Sequence, residues 1–262
     1  MRSFLKIIVY KIRGFLFPPS VVWQEGFNTW REAEAKASSY SDSVIFEKVL
    51  TSSRLVKKGL AHHERDSVLF FSPSYNFALI CLLQEASRHL KEPLFICDFG
   101  GALGSLYWQH RQLLVSLNLT IRRWLIIEQP RFVELGLSEF KDGTLDFASS
   151  FPEGNVDVLI LSSVLQYLEN PWEVLKSLLS QKPHYVFLDR TGFTLDDSEV
   201  ITLQKVREPI YHASYPCWFL SRKNLLETMV RAGYQLVTEF EALDRSNVPS
   251  LYRGVVWKRK KD

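Results

Sequence analysis

Cysteine is scarce: Cys81, Cys97 and Cys217 are the only three in 262 residues, widely spaced and set in apolar surroundings. They give neither a disulfide framework nor a zinc-ligand pattern, and they fit a reducing, cytosolic compartment. A dominant charge is missing as well. The net charge of +3 comes partly from Lys258, Arg259, Lys260 and Lys261, which read as a solvated end, so nucleic acid is not an expected partner. Long apolar runs are absent too. The stretch from Met1 to Phe17 is interrupted by Arg2, Lys6, Lys11 and Arg13, too soon for a bilayer span or a secretory signal. There is no internal repeat and no low-complexity tract. What is present, 46% hydrophobic and 23% charged residues, can bury the core of one α/β domain plus an extension.

The N-terminal segment is amphipathic at helical spacing. Arg2, Lys6 and Arg13 share one face, Phe4, Leu5, Ile8, Ile12 and Leu16 another, and Pro18 and Pro19 end the helix. Its apolar face suits docking on the protein's own core or on a second subunit of a homodimer. The other reading is a peripheral helix at the inner membrane face, through residues 1–17. From residue 21 to 91 the chain mixes aromatic residues with helix-forming stretches (Trp30 to Ala37, Val44 to Lys58, Tyr75 to Leu90), which reads as a helical N-terminal lobe or lid.

A different rhythm occupies residues 92–262. Leu94 to Cys97 is an apolar strand that stops at Asp98, and Gly100, Gly101 and Gly104 then open an amphipathic helix. The first two glycines permit a tight turn and close approach of a ligand, and the third lets the helix sit near the strand. Arg122 to Ile127 is a second strand, ending in Glu128, where a carboxylate suits the two hydroxyls of a ribose. Helix starts at Pro130 and Pro171 alternate with strands at Leu145 to Ala148, Val156 to Leu161 and Tyr185 to Leu188. The alternation predicts an α/β fold with a doubly wound, Rossmann-like parallel sheet. After a helix over Arg222 to Ala232, the strands Tyr234 to Leu243 and Leu251 to Trp257 follow with only a short loop between them. They are expected to pair as an antiparallel C-terminal hairpin.

Small polar residues follow the fourth strand: Ser162 and Ser163, then Gln166 and Tyr167. They belong at the C-terminal edge of the sheet, where ligands of open α/β folds bind. Asp189 and Arg190 end the fifth strand. His62 and His63 beside Glu64 lack further ligands at metal-binding spacing, so no metal is expected.

Several segments together resemble a family of bacterial class I methyltransferases, often associated with surface polysaccharide (O-antigen or capsule) gene clusters, whose activities are mostly inferred. The carrying residues are Trp23 to Phe27 with Trp30, Glu64 to Ser67, Asp98 to Gly104 with Ser105, Tyr107, Gln109 and Arg111, then Glu128-Gln129, Ser162 to Leu168, Asp189 to Thr191, and Tyr215-Pro216 with Trp218. Ala102, where the family's turn has serine, and Gly192, where proline is usual, depart from the pattern.

The resemblance implies S-adenosylmethionine as cofactor. Asp98 would take its ammonium and Glu128 its ribose, Gly100, Gly101 and Gly104 would allow close approach, Phe147 would lie against the adenine, and Ser162 and Ser163 near the sulfonium. Asp189 and His212 are candidate bases, Arg190 a holder of an acidic acceptor group, and Arg65, Gln166 and Tyr167 acceptor-binding residues. The implied reaction is methyl transfer to an oxygen, with nitrogen second, of a carbohydrate or nucleotide-sugar intermediate. Two alternatives stand beside it: a non-catalytic scaffold of a polysaccharide assembly, and an NAD-dependent oxidoreductase.

Overall fold

A computed structural model of the chain describes residues 20–37, 43–91, 93–208 and 210–260. The amphipathic segment 1–17 lies outside them. The chain begins with β1 (Val21–Phe27), α1 (Trp30–Glu34), α2 (Ser43–Lys57), β2 (His63–Arg65), β3 (Val68–Phe70) and α3 (Phe77–Leu90). The alternating region supplies β4 (Leu94–Phe99), α4 (Ser105–Ser116), β5 (Ile121–Ile127), α5 (Pro130–Leu135), β6 (Leu145–Ala148), β7 (Val158–Ser162), α6 (Pro171–Ser180) and β8 (Tyr185–Thr194). The chain closes with β9 (Val200–Val206), β10 (Ala213–Phe219), α7 (Arg222–Arg231), β11 (Tyr234–Glu241) and β12 (Ser250–Arg259).

Helix starts carry the expected chemistry. Pro130 and Pro171 occupy first-turn positions of α5 and α6, where a missing N–H costs nothing. Asn76 and Ser221 cap α3 and α7, their side-chain oxygens accepting from the Leu79 and Asn224 N–H groups.

The main sheet has seven strands in the order β11-β12-β8-β7-β4-β5-β6. β8, β7, β4, β5 and β6 pair in parallel, whereas β12 runs antiparallel to both β8 and β11. The predicted hairpin is present, with its second strand inserted between the first and the rest of the sheet. Apolar residues on both faces of each central strand explain the burial. Ile96, Ile126 and Phe187 meet Leu79 and Leu83 of α3 in one core, and Cys97, Leu125 and Val186 meet α6 and α7 in the other. From β4 the chain winds to β5 and β6 on one side and returns to β7 on the other, leaving a crevice between the ends of β4 and β7.

The region 21–91 is not wholly helical. β1 pairs antiparallel with β9, which lies in the second half of the chain, and β9 pairs with β10, making a separate three-stranded sheet. Local periodicity could not reveal β1, because its partner lies almost 180 residues away in sequence. β2 and β3 form a two-residue hairpin whose turn residues Asp66 and Ser67 both have positive φ, 51° and 64°. That geometry usually selects Asn-Gly, so Asp-Ser gave little turn signal.

The fifth parallel strand also runs further than expected, through Thr194. Asp189 and Arg190 together oppose the single Gly254 of β12, a β-bulge that puts Arg190 in the left-handed region at φ 53°.

Candidate functional site

The C-terminal ends of β4, β5, β7 and β8 open into a cavity of about 1220 Å³. Its floor is the turn after β4. A side chain at Gly101 would place its Cβ 2.8 Å from the Asp98 carboxyl, and one at Gly100 would come 2.5 Å from Val164. Both positions therefore require glycine. Gly104 serves a different purpose: it caps α4 in a left-handed conformation, against Leu145 and Trp108, and does not line the cavity.

Two carboxylates flank the turn. Asp98 is buried beneath it, accepts a hydrogen bond from the Trp124 indole (3.2 Å), and is pushed by burial up to about 7. Glu128 accepts from the N–H groups of Ala102 (3.2 Å) and Gln129 (2.8 Å), and burial raises it as well. Ala102 has φ 51°, so the turn is left-handed with alanine at this position. A third carboxylate comes from the N-terminal hairpin. Glu64 of β2 is buried, accepts from the Ser67 N–H and the Ser105 hydroxyl, and is raised by burial.

The opposite end of the cavity is built by the bulge of β8. The Asp189 carboxylate accepts from its neighbour's N–H at Arg190 and from the Asn76 amide, both at 2.8 Å, and burial raises it to about 6. Asn76 is itself held by His110, whose Nε2 accepts the Asn76 N–H at 2.8 Å. Burial lowers His110 to about 4, so the imidazole is neutral and its other nitrogen faces the Leu106 carbonyl. Ser163, also left-handed at φ 54°, donates its N–H to the Asp189 carbonyl. Gln166 donates to the Arg190 carbonyl (3.0 Å) and to Ser163 (3.2 Å), and its Oε1 is buried with no partner among the described residues.

The separate sheet covers this end. Tyr167 donates to Gln204 of β9, Gln204 donates to Tyr215 of β10, and the Tyr215 and Tyr211 hydroxyls are 3.1 Å apart. Stacking of Trp30 on Trp218, with centroids 6.0 Å apart, docks α1 on β10. The Asn247 side chain bridges the Trp23 backbone to the loop before β12.

The cavity thus gathers Asp98, Gly100, Gly101, Glu128, Ser162, Ser163, Gln166, Tyr167, Asp189, Arg190 and Arg65. Phe147 does not reach it. It is buried on the helical side of β6, where its ring lies within 2.6 Å of any Cβ at Gly136; Ser149, one residue past the end of the strand, lines the cavity. His212 is exposed and also outside the cavity, its side chain facing away between the buried Tyr211 and Ala213.

Arg190 is engaged rather than open to an acidic ligand. It binds Asp244 through two nitrogens (3.0–3.2 Å) and Asp66 at 2.8 Å. Arg65 lies over the Phe70 ring, 5.7 Å from its centroid. Asn76, His110, Gln204 and Asp244 had no signal of function. Asn76 before an apolar helical run is legible as a cap, but only tertiary contact joins it to Asp189. Among the described residues no cluster of His, Cys, Asp and Glu suits a metal ion, and no helix is long and apolar enough to cross a membrane.

No family model and no curated protein matches the chain. Among solved structures, the N-terminal domain of EvdMO1 in the presence of SAH and D-fucose is similar at 15% identity over 84% of this chain and 100% of that one, with a TM-score of 0.46. Magnesium protoporphyrin IX methyltransferase (ChlM) from Synechocystis PCC 6803 with bound SAM is similar at 12% identity, 84% and 100% coverage, and a TM-score of 0.44. CalS10, an amino pentose methyltransferase from Micromonospora echinaspora, is similar at 10% identity, 70% and 91% coverage, and a TM-score of 0.44. Independently of these likenesses, five parallel strands that reverse order at β4, followed by an edge hairpin whose last strand is inserted antiparallel, give the chain the Rossmann-like fold of class I methyltransferases.

Proposed function

We propose that the protein is an S-adenosylmethionine-dependent methyltransferase acting on a hydroxyl or amino group of a carbohydrate-type acceptor. The observation that carries this reading is the pair of carboxylates, Asp98 and Glu128, on either side of a glycine turn that tolerates no side chain. The cofactor carries an ammonium, a ribose diol and a sulfonium but no phosphate, so acceptors rather than cationic donors suit it. A pyrophosphate would sit unfavourably beside Asp98. The volume supports the reading too: about 1220 Å³ exceeds the roughly 300–1,000 Å³ typical of a pocket for one small molecule, leaving room for an acceptor.

When bound, S-adenosylmethionine supplies a methyl group on a sulfonium. The chain's residues contribute position and proton acceptance. Asp98 receives the ammonium, and Glu128, held by two backbone N–H groups, presents its remaining lone pairs to the ribose diol. Asp189, at the far end, is ionised at neutral pH with a proton affinity suited to a general base. The sheet of β1, β9 and β10 excludes water and aligns the acceptor for in-line attack.

The test is calorimetric titration with S-adenosylmethionine and, separately, NAD, on the wild type and Glu128→Ala. Micromolar binding of the former, weakened at least about tenfold by loss of a charge-assisted contact, is expected. Binding of NAD alone, or of neither, rejects the proposal.

A further inference from the structure

The cavity's charge is unlike that of the chain. The protein has a net charge of +3, yet among the described residues that line the cavity the only cationic ones are Arg65, Arg190 and Arg245. Two of these are engaged by carboxylates that line the cavity themselves: Arg190 by Asp66 and Asp244, and Arg245 by Glu241 at 3.5 Å. Meanwhile Glu64, Asp98 and Asp189 are buried and, among the described residues, none is ion-paired to a side chain. Buried carboxylates held only by neutral donors are costly, and a cationic ligand offsets that cost. S-adenosylmethionine accounts for the cofactor end. Asp189, at the acceptor end, has no ion-pair partner among the described residues, and the Arg190 guanidinium that acts on its charge is committed to Asp66 and Asp244.

A second observation falls at the same place. Asp189 and Gln166 grip one residue from two sides: the Asp189 carboxylate accepts the Arg190 N–H, and the Gln166 amide donates to the Arg190 carbonyl. A carbonyl can only accept, so the contact fixes the Gln166 amide with its nitrogen toward Arg190 and leaves Oε1 as an acceptor with no donor. Across Arg190 from the ionised carboxylate there is thus a buried acceptor that finds no N–H or O–H among the described residues. Tyr167, Gln204, Tyr215 and Tyr211, hydrogen-bonded to one another, add hydroxyl and amide groups to the lining, the chemistry that suits a polyol.

Resting on the methyltransferase reading, we propose that the acceptor is an amino sugar, whose amine is the methylated atom and is received by Asp189 and the Gln166 carbonyl. The ammonium gives one proton to the Asp189 carboxylate and becomes a free amine. Its nitrogen lone pair forms the new bond to the methyl carbon while the carbon–sulfur bond breaks, its electron pair going to sulfur. The products are the N-methylated ammonium, S-adenosylhomocysteine and a protonated Asp189 that releases its proton to solvent. Nitrogen, second to oxygen on sequence grounds, becomes the favoured atom because oxygen acceptors bring no cation to this site.

The test uses the full chain saturated with S-adenosylhomocysteine and titrated at neutral pH with glucosamine, N-acetylglucosamine and glucuronate, followed by saturation-transfer NMR. Glucosamine is expected to bind about tenfold or more tightly than either of the others, with the difference lost in Asp189→Asn. Gln166→Met, close in volume, is expected to weaken glucosamine alone. Folding of both variants is checked by unchanged S-adenosylhomocysteine affinity. Equal binding of the three sugars, preference for glucuronate, or binding of none overturns the proposal. Because cofactor binding is measured in the same samples, failure of the amine preference with intact cofactor binding refutes this inference alone, whereas absence of cofactor binding refutes the methyltransferase reading.

Discussion

Replacing Gly101 with alanine tests the site and the fold at once. The new Cβ would lie 2.8 Å from the Asp98 Cγ and Oδ2 and 2.9 Å from Ile126 Cδ1. Asp98 is buried and its Oδ2 is bonded to Trp124, and Ile126 is fully buried, so neither neighbour yields easily. Overpacking of this kind costs about 1–3 kcal/mol, which in a chain of this size lowers Tm by roughly 2–4 °C per kcal/mol. Displacing Asp98 also weakens a charge-assisted hydrogen bond worth about 1.5–3 kcal/mol, a loss of roughly ten- to hundredfold in cofactor affinity. Gly143→Ala is the control, since nothing lies within 4 Å of its Cβ and its φ is not positive. Thermal unfolding and calorimetry with S-adenosylmethionine read the two effects separately. A Tm equal to that of the control refutes the packing of the turn over Asp98; a lowered Tm with unchanged affinity refutes Asp98 as the ammonium site.

Methyl transfer is expected to fall about tenfold per pH unit below the Asp189 value of about 6, because only the ionised carboxylate accepts a proton. Asn76→Ala, which removes a donor to that carboxylate, should shift this acid limb to higher pH; a profile flat from pH 5 to 7.5 would exclude Asp189 as the base. Arg190→Met leaves Asp66 and Asp244 without their shared cation and should cost about 1–3 kcal/mol, with faster proteolysis at the Asp66-Ser67 turn. Unchanged proteolysis would show that the ion pairs do not hold the hairpin. His212→Ala should alter stability by no more than about 0.5 kcal/mol and leave activity intact, since the side chain is exposed and outside the cavity; a large loss of activity would restore it to the site.

Local sequence pattern is enough to specify the parallel core of the fold and one wall of the cavity. Unbroken apolar runs mark strands buried on both faces, glycines must fall where the chain turns under a ligand, and polar residues must follow each strand at the sheet's edge. Asp98, Glu128, Ser162, Gln166 and Asp189 were legible for that reason: each sits at a strand end or in the turn directly after one. The other wall was not, because its parts are distant in sequence. β1 finds its partner in β9, Asn76 and Glu64 approach from the region before β4, and Asp244 arrives from the loop before the last strand. Phe147 and His212 show the same limit from the other direction, since their residue types suited the site and only the direction of their side chains excluded them. Periodicity records which face of an element is buried; what the face is buried against is decided by tertiary packing. That packing alone set the Asp189 carboxylate and the Gln166 carbonyl about Arg190, the one with no ion-pair partner and the other with no donor among the described residues.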